Sequence, residues 1–209
     1  MQLMKTIKLL ALSIILVGFS SCSSDDDDNQ QPSAQIETQT ITNLHAPQES
    51  DYTTNPPTVT GDYVKFSFTT GGTVTGDNWD IAFRGTTILV NGGEATSEDQ
   101  PNRTGNGGAY SNVETTFNEV MEVNPSLFNQ DTTSSGLAIN SWYDYNPTTH
   151  MITPTAGKIL VVRTHDGRYA KVEILSYYEN SEPNAQADNF QFYTFKYAYQ
   201  PNEGLTSFE

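Results

Sequence analysis

The chain has 209 residues and a formal charge of -15, with 25 acidic side chains against 10 Lys and Arg. That balance argues against a nucleic-acid partner, which requires basic surface, and against adsorption to anionic headgroups. With 11 Tyr and 10 Phe the chain can build a substantial core, and its single cysteine excludes an intrachain disulfide and a zinc–thiolate cluster.

Residues 1–21 read as a cleaved export signal. Lys5 and Lys8 precede an apolar run from Leu9 to Phe19, which is too short to span a bilayer. Small residues, Ser20-Ser21, then lead to Cys22, the arrangement that lipoprotein processing needs. Cys22 is the expected lipid attachment site, so the membrane is met through acyl chains only. Residues 22–35 then form an acidic tether. Asp25 to Asp28 are four adjacent carboxylates whose repulsion prevents folding, and the Cys-Ser-Ser-acidic start resembles the surface-export signal of Bacteroidota lipoproteins. The expected location is the outer membrane, exposed at the cell surface.

Residues 36–209 are one domain's worth of chain. Gln35 to Leu44 alternates Ile and Thr as a first strand, and Ala46 to Asp62 reads as loop. Val64, Phe66 and Phe68 share one face of a strand, and Trp79, Ile81 and Phe83 share one face of the next. Thr86 to Val90 follows as a short strand. Glu94 to Ala109 and Asn124 to Ser141 are long polar connections of a kind that usually serves a function. Between them, Val113, Phe117, Met121 and Val123 fall in one phase. Trp142 to Tyr145 and His150 to Ile152 suit two short strands across Asn146 to Thr149. Asp166-Gly167 suits a two-residue hairpin turn, which sets Val161 opposite Val172 and Ile159 opposite Ile174. Tyr193, Phe195, Tyr197 and Tyr199 share one face of a last strand. No segment holds a helical apolar period. The expected fold is all-β, a single sandwich or meander of about eight or more mainly antiparallel strands after a disordered acidic tether.

Catalysis is not expected. The sequence lacks Gly-x-Ser-x-Gly, His-Glu-x-x-His, a P-loop and a dinucleotide-binding glycine motif. His45 and His165 read as exposed loop and hairpin-end side chains. His150 and Met151 lie beside the aromatic segment Trp142-Tyr143-Asp144-Tyr145, and both side-chain types bind haem iron. In one strand only one of them can face a given pocket. Met121 reads first as a core residue.

Asp77-Asn78-Trp79-Asp80-Ile81-Ala82-Phe83-Arg84 with Asn91-Gly92-Gly93, then Ser141 to Tyr145, Val161 to Val172 and Thr194-Phe195-Lys196-Tyr197, together resemble the HmuY family of haem-binding lipoproteins. The resemblance implies a nearly all-β fold that binds haem as cargo and passes it to an outer-membrane receptor. It also implies two axial iron ligands, His or Met, from loops at one end of the fold. One loop precedes Phe117-Asn118-Glu119-Val120, and there Tyr110 and Met121 are the candidates. The other follows Trp142 and holds His150 and Met151, with Trp142 as a wall. The alternative is a non-catalytic surface lipoprotein that binds another nutrient, such as a glycan, or a partner protein of an outer-membrane complex.

Cys22→Ala is expected to move the protein from the membrane fraction to the soluble fraction. A wild-type chain that is soluble and unlipidated by mass spectrometry overturns the anchor.

Overall fold

The computed structural model describes residues 34–184 and 188–209. The export signal, Cys22 and nearly all of the acidic tether lie outside the described residues. Among the described residues the chain forms thirteen strands and two single-turn 3-10 helices. The strands are β1 (Glu37–His45), β2 (Glu49–Asp51), β3 (Thr58–Thr60), β4 (Val64–Ser67), β5 (Gly72–Val74), β6 (Ile81–Arg84) and β7 (Thr87–Val90). They continue with β8 (Gly108–Asn112), β9 (Tyr143–Asn146), β10 (Met151–Pro154), β11 (Ile159–Arg163), β12 (Tyr169–Tyr178) and β13 (Phe190–Gln200). A five-stranded sheet has the order β1-β13-β12-β11-β8, and a four-stranded sheet has the order β5-β4-β6-β7. The hairpins β2–β3 and β9–β10 stand apart from both. Every strand pair is antiparallel.

The two larger sheets pack face to face. Alternation along β13 puts Tyr193, Phe195 and Tyr197 on the inner face, against Phe66 of β4 and Phe83 of β6. Phe66 meets Phe195 edge-on at 5.3 Å between ring centroids, and Phe83 meets Tyr193 at 4.7 Å. Leu160 and Val162 of β11 join this core. The intervening Ile159 and Val161 face a second cluster with Phe117, Val120, Val123 and Phe208. β11 is therefore covered on both faces, which explains its unbroken apolar run.

Three sequence expectations are corrected. The β11–β12 hairpin turns on three residues, His165 to Gly167, not two. Gly167 N donates to Thr164 O at 3.1 Å and Thr164 N to Arg168 O at 2.8 Å. Gly167 is the one residue of the turn with positive φ, at 89°, the pattern of a type I turn closed by a left-handed residue. The extra residue shifts the register by one, so Leu160 faces Val172 and Val161 faces Lys171. Trp79 does not share a face with Ile81 and Phe83 but packs with Ala82 and Leu89 behind the smaller sheet. The chain bends at Asp80, whose buried carboxylate accepts from Phe68 N at 2.7 Å and from His165 N at 3.0 Å. Residues 113–123 hold no strand and turn at 117–119, so the shared phase fails there. Phe117, Val120 and Val123 are buried, while Val113 is 60% and Met121 45% exposed.

The two long polar connections have a structural task. Asn91 accepts from Thr104 N and Gly105 N through Oδ1. Asp131, fully buried, pairs with Arg103 at 2.9 Å and accepts from Val90 N and Ala138 N. Burial alone pushes the Asp131 carboxyl pKa up, and the two amides and Arg103 oppose that shift.

A Cβ added at Gly167 meets no atom within 4 Å, so the backbone strain of a positive φ is the main effect that Gly167→Val probes. It is expected to lower the stability by about 1 kcal/mol or more, read from the urea midpoint. An unchanged midpoint rejects the turn geometry.

Candidate functional site

The β9–β10 hairpin carries Tyr145, His150 and Met151 at the border of one cleft. Its four-residue turn, Pro147 to His150, is closed by the pair Asn146 and Met151. Asn146 Oδ1 accepts from Thr148 N at 2.9 Å and Thr149 N at 3.2 Å, which fixes the turn. His150 is the last turn residue and sits in the left-handed region at φ 58°, a conformation that His tolerates better than most residues. The strict alternation of side chains holds only in extended backbone. That is why His150 and Met151, expected to point apart, both border one cleft.

The cleft has a volume of about 600 Å³, within the range of small-molecule sites. Its floor is Tyr177 and Tyr178 at the end of β12, with Met151 and Ile152 of β10. Tyr52 and Gln48 close one side, and Asp188, Phe190 and Gln191 another. A reciprocal amide lock joins those two sides. Gln48 N donates to Gln191 Oε1 at 2.9 Å, and Gln191 Nε2 donates to Gln48 O at 3.1 Å.

The chemistry of the lining is specific. Tyr145 Oη lies 2.6 Å from His150 Nδ1. Tyr178 Oη accepts from Ile152 N at 2.8 Å and donates to Met151 Sδ at 3.8 Å. Met151 is half-buried against the core, whereas His150 is exposed. Burial pushes the Tyr177 hydroxyl pKa well above its usual value, so the floor stays a neutral phenol.

The sequence candidates divide. His150 and Met151 come together in the cleft. Trp142 stands behind it: the indole is buried, donates to Thr86 O at 2.8 Å, and packs on Tyr177 at 5.7 Å and Tyr193 at 5.3 Å. It supports the floor without lining the cleft. Tyr110 and Met121 belong elsewhere. Tyr110 packs in the cluster on the outer face of the larger sheet, and its hydroxyl accepts from Asn124 N at 2.9 Å. Burial raises its pKa, which disfavours the phenolate that iron prefers. Met121 is exposed beside Val113 and Glu119. The expected pairing of either residue with His150 or Met151 across one cleft is not formed.

Two histidine expectations also change. His165 is not an exposed hairpin end, since its Nδ1 lies 2.7 Å from Asp80 Oδ1 and its side chain is only 18% exposed. His45 is exposed as expected but ends β1 instead of lying in a loop, and it stacks on Phe192 at 4.2 Å.

Tyr52, Tyr177, Tyr178, Asp188 and Phe190 were not singled out by the sequence. The doublet Tyr177-Tyr178 held a weak signal, because alternation sends one of two adjacent rings off the core. Both are buried here because the β12–β13 register shifts between Ser176 and Tyr178.

A family model described as HmuY protein matches residues 59–197. Among solved structures, the apo HmuY analog of Tannerella forsythia is similar at 15% identity and a TM-score of 0.49, over 82% of this chain and 100% of that one. A Bacteroides vulgatus protein described as HmuY-like and haem-binding is similar at 17% identity and a TM-score of 0.48, over 80% of this chain and 93% of that one. A Bacteroides fragilis protein described as a lipoprotein is similar at 14% identity and a TM-score of 0.45, over 80% and 91% of the two chains. No curated protein sequence matches.

His150→Gly relieves the left-handed strain and is expected to leave the thermal midpoint unchanged or raised. His150→Val, which suits φ 58° poorly, is expected to lower stability by about 1 kcal/mol. Equal losses from both variants reject the left-handed assignment.

Proposed function

The chain belongs to the HmuY family, and from that premise we propose that it binds haem in the cleft beside the β9–β10 hairpin. The observation that carries this reading is the position of His150 at the border of an aromatic-floored cleft of about 600 Å³. A macrocycle needs an apolar slot and an iron-binding lone pair. Tyr177, Tyr178, Met151 and Ile152 supply the slot. His150 supplies the lone pair at Nε2. Met151 is the second choice as ligand, because its sulfur already receives the Tyr178 hydroxyl.

Haem is cargo in this reading, not a catalytic cofactor, and the protein is not an enzyme. Neither Lys nor Arg is among the described residues that line the cleft, so none of those side chains would pair with a propionate. The export signal and Cys22 support an outer-membrane lipoprotein at the cell surface. Its partner is then an outer-membrane receptor that takes the haem. A second reading, a glycan or partner-protein binder, is supported by the exposed rings of Tyr52, Tyr145 and Phe190 on the same cleft, since flat exposed rings also serve as sugar platforms.

Adding haemin to the full chain is expected to give a Soret band. His150→Gly is expected to blue-shift or abolish it with circular dichroism unchanged, and Met151→Leu to keep it. If Met151 were the ligand, the outcomes reverse and binding favours ferrous haem. No band in either redox state overturns the haem reading and leaves the glycan or partner reading.

A further inference from the structure

The turn that presents His150 also presents a hydroxyl to its ring. Tyr145 pairs with Ile152 across the hairpin, one residue before Asn146 closes the turn. Its Oη reaches His150 Nδ1 at 2.6 Å. The two rings are tilted by 42° with centroids 6.2 Å apart, so the contact is made by the hydroxyl and not by stacking.

Resting on the haem reading, the geometry points to Tyr145 as a positioning residue that engages His150 Nδ1 and leaves Nε2 as the ring nitrogen available to iron. When Nε2 binds a metal, a neutral imidazole must carry its proton on Nδ1. A phenol both donates and accepts, so Tyr145 keeps its bond in either tautomer. It donates to a bare Nδ1 and accepts from Nδ1–H. An acceptor on Nδ1–H fixes the orientation of the ring and raises the basicity of the ligating nitrogen. A stronger donor favours ferric over ferrous iron. The same nitrogen is engaged at His165, where Nδ1 faces the buried Asp80 carboxylate, but there the ring is withdrawn into the fold. The competing role for Tyr145 is that of a cleft wall, since its ring is half-exposed on the cleft border.

A double-mutant cycle on the full chain separates the two roles. Ferric-haem affinity is titrated for wild type, Tyr145→Phe, His150→Gly and the double variant, with circular dichroism on each. A positioning role predicts that Tyr145→Phe weakens binding about tenfold when His150 is present and by less than about twofold when it is absent; where His150→Gly leaves no binding to titrate, the midpoint potential of the Tyr145→Phe complex decides alone. It also predicts that Tyr145→Phe raises the midpoint potential of bound haem, which loss of a wall alone leaves in place. Equal losses in the two backgrounds overturn the proposal in favour of a wall. An unchanged affinity and potential overturn it as well. Failure of the haem reading is distinguishable, because it shows in the wild type as the absence of any Soret band before a variant is made.

Discussion

The inner face of β13 is the constraint on which the rest of the structure depends. Tyr193, Phe195 and Tyr197 stand in one row and are almost completely buried. Each aromatic side chain removed from water contributes roughly 1.5–3 kcal/mol, and this row is shared by every part of the inner core. Phe66 and Phe83 bring the smaller sheet onto it. Trp142 and Tyr177 bring the cleft onto it. Tyr193 also donates to Gly85 O at 2.7 Å, and Trp142 to the next carbonyl, Thr86 O. The β6–β7 turn thus holds the polar ends of two rings whose bodies fill the core. The cleft inherits its position from this packing.

Buried polar groups then decide how the connections run. Asp80, Asn91 and Asp131 are fully buried, and each spans segments far apart in sequence. Asp80 joins the end of β4 to the β11–β12 turn. Asn91 holds the first long loop through Oδ1 and the segment before β6 through Nδ2. Asp131 joins β7 to both long loops. A buried ion pair contributes little to net stability, but losing one partner is costly. These loops are therefore ordered for structural reasons. Residues 129–131 also reach Ala109 and Gly93 through isolated bridges, which covers the β8 edge of the larger sheet.

A turn, not a strand, brings the iron-binding candidates together. A strand would send His150 and Met151 to opposite faces. The left-handed φ of His150 breaks that rule and lets both reach the cleft. Their environments then differ. Met151 is committed to the core and to the Tyr178 hydroxyl, whereas His150 stays exposed with one nitrogen engaged by Tyr145. On these grounds the imidazole is the better placed donor. Tyr110 and Met121 lie apart from this cleft.

Local pattern was enough to establish the all-β class. Alternation in Val64 to Phe68 and in Tyr193 to Tyr199 identified one face of the inner core, and the aromatic segment with His150 and Met151 marked the hairpin that borders the cleft. The motifs between Asp77 and Tyr197 pointed to the family. These features depend on neighbours two residues apart, or on short strings of side chains, so they are visible in one dimension. The register of β11–β12 was not, because it turned on a single residue: Asp166-Gly167 fits both a two-residue and a three-residue turn. Trp79 and His165 were misplaced because the buried Asp80 carboxylate, whose partners lie 12 and 85 positions away, bends one segment and captures the other. Tyr52, Tyr177 and Phe190 come to share a cleft with His150 only after the strands have paired, since no local rule joins residues so far apart in the chain. Periodicity records which side of a strand is apolar. Which distant groups share a cleft is decided by packing and by where each buried polar group finds its partner.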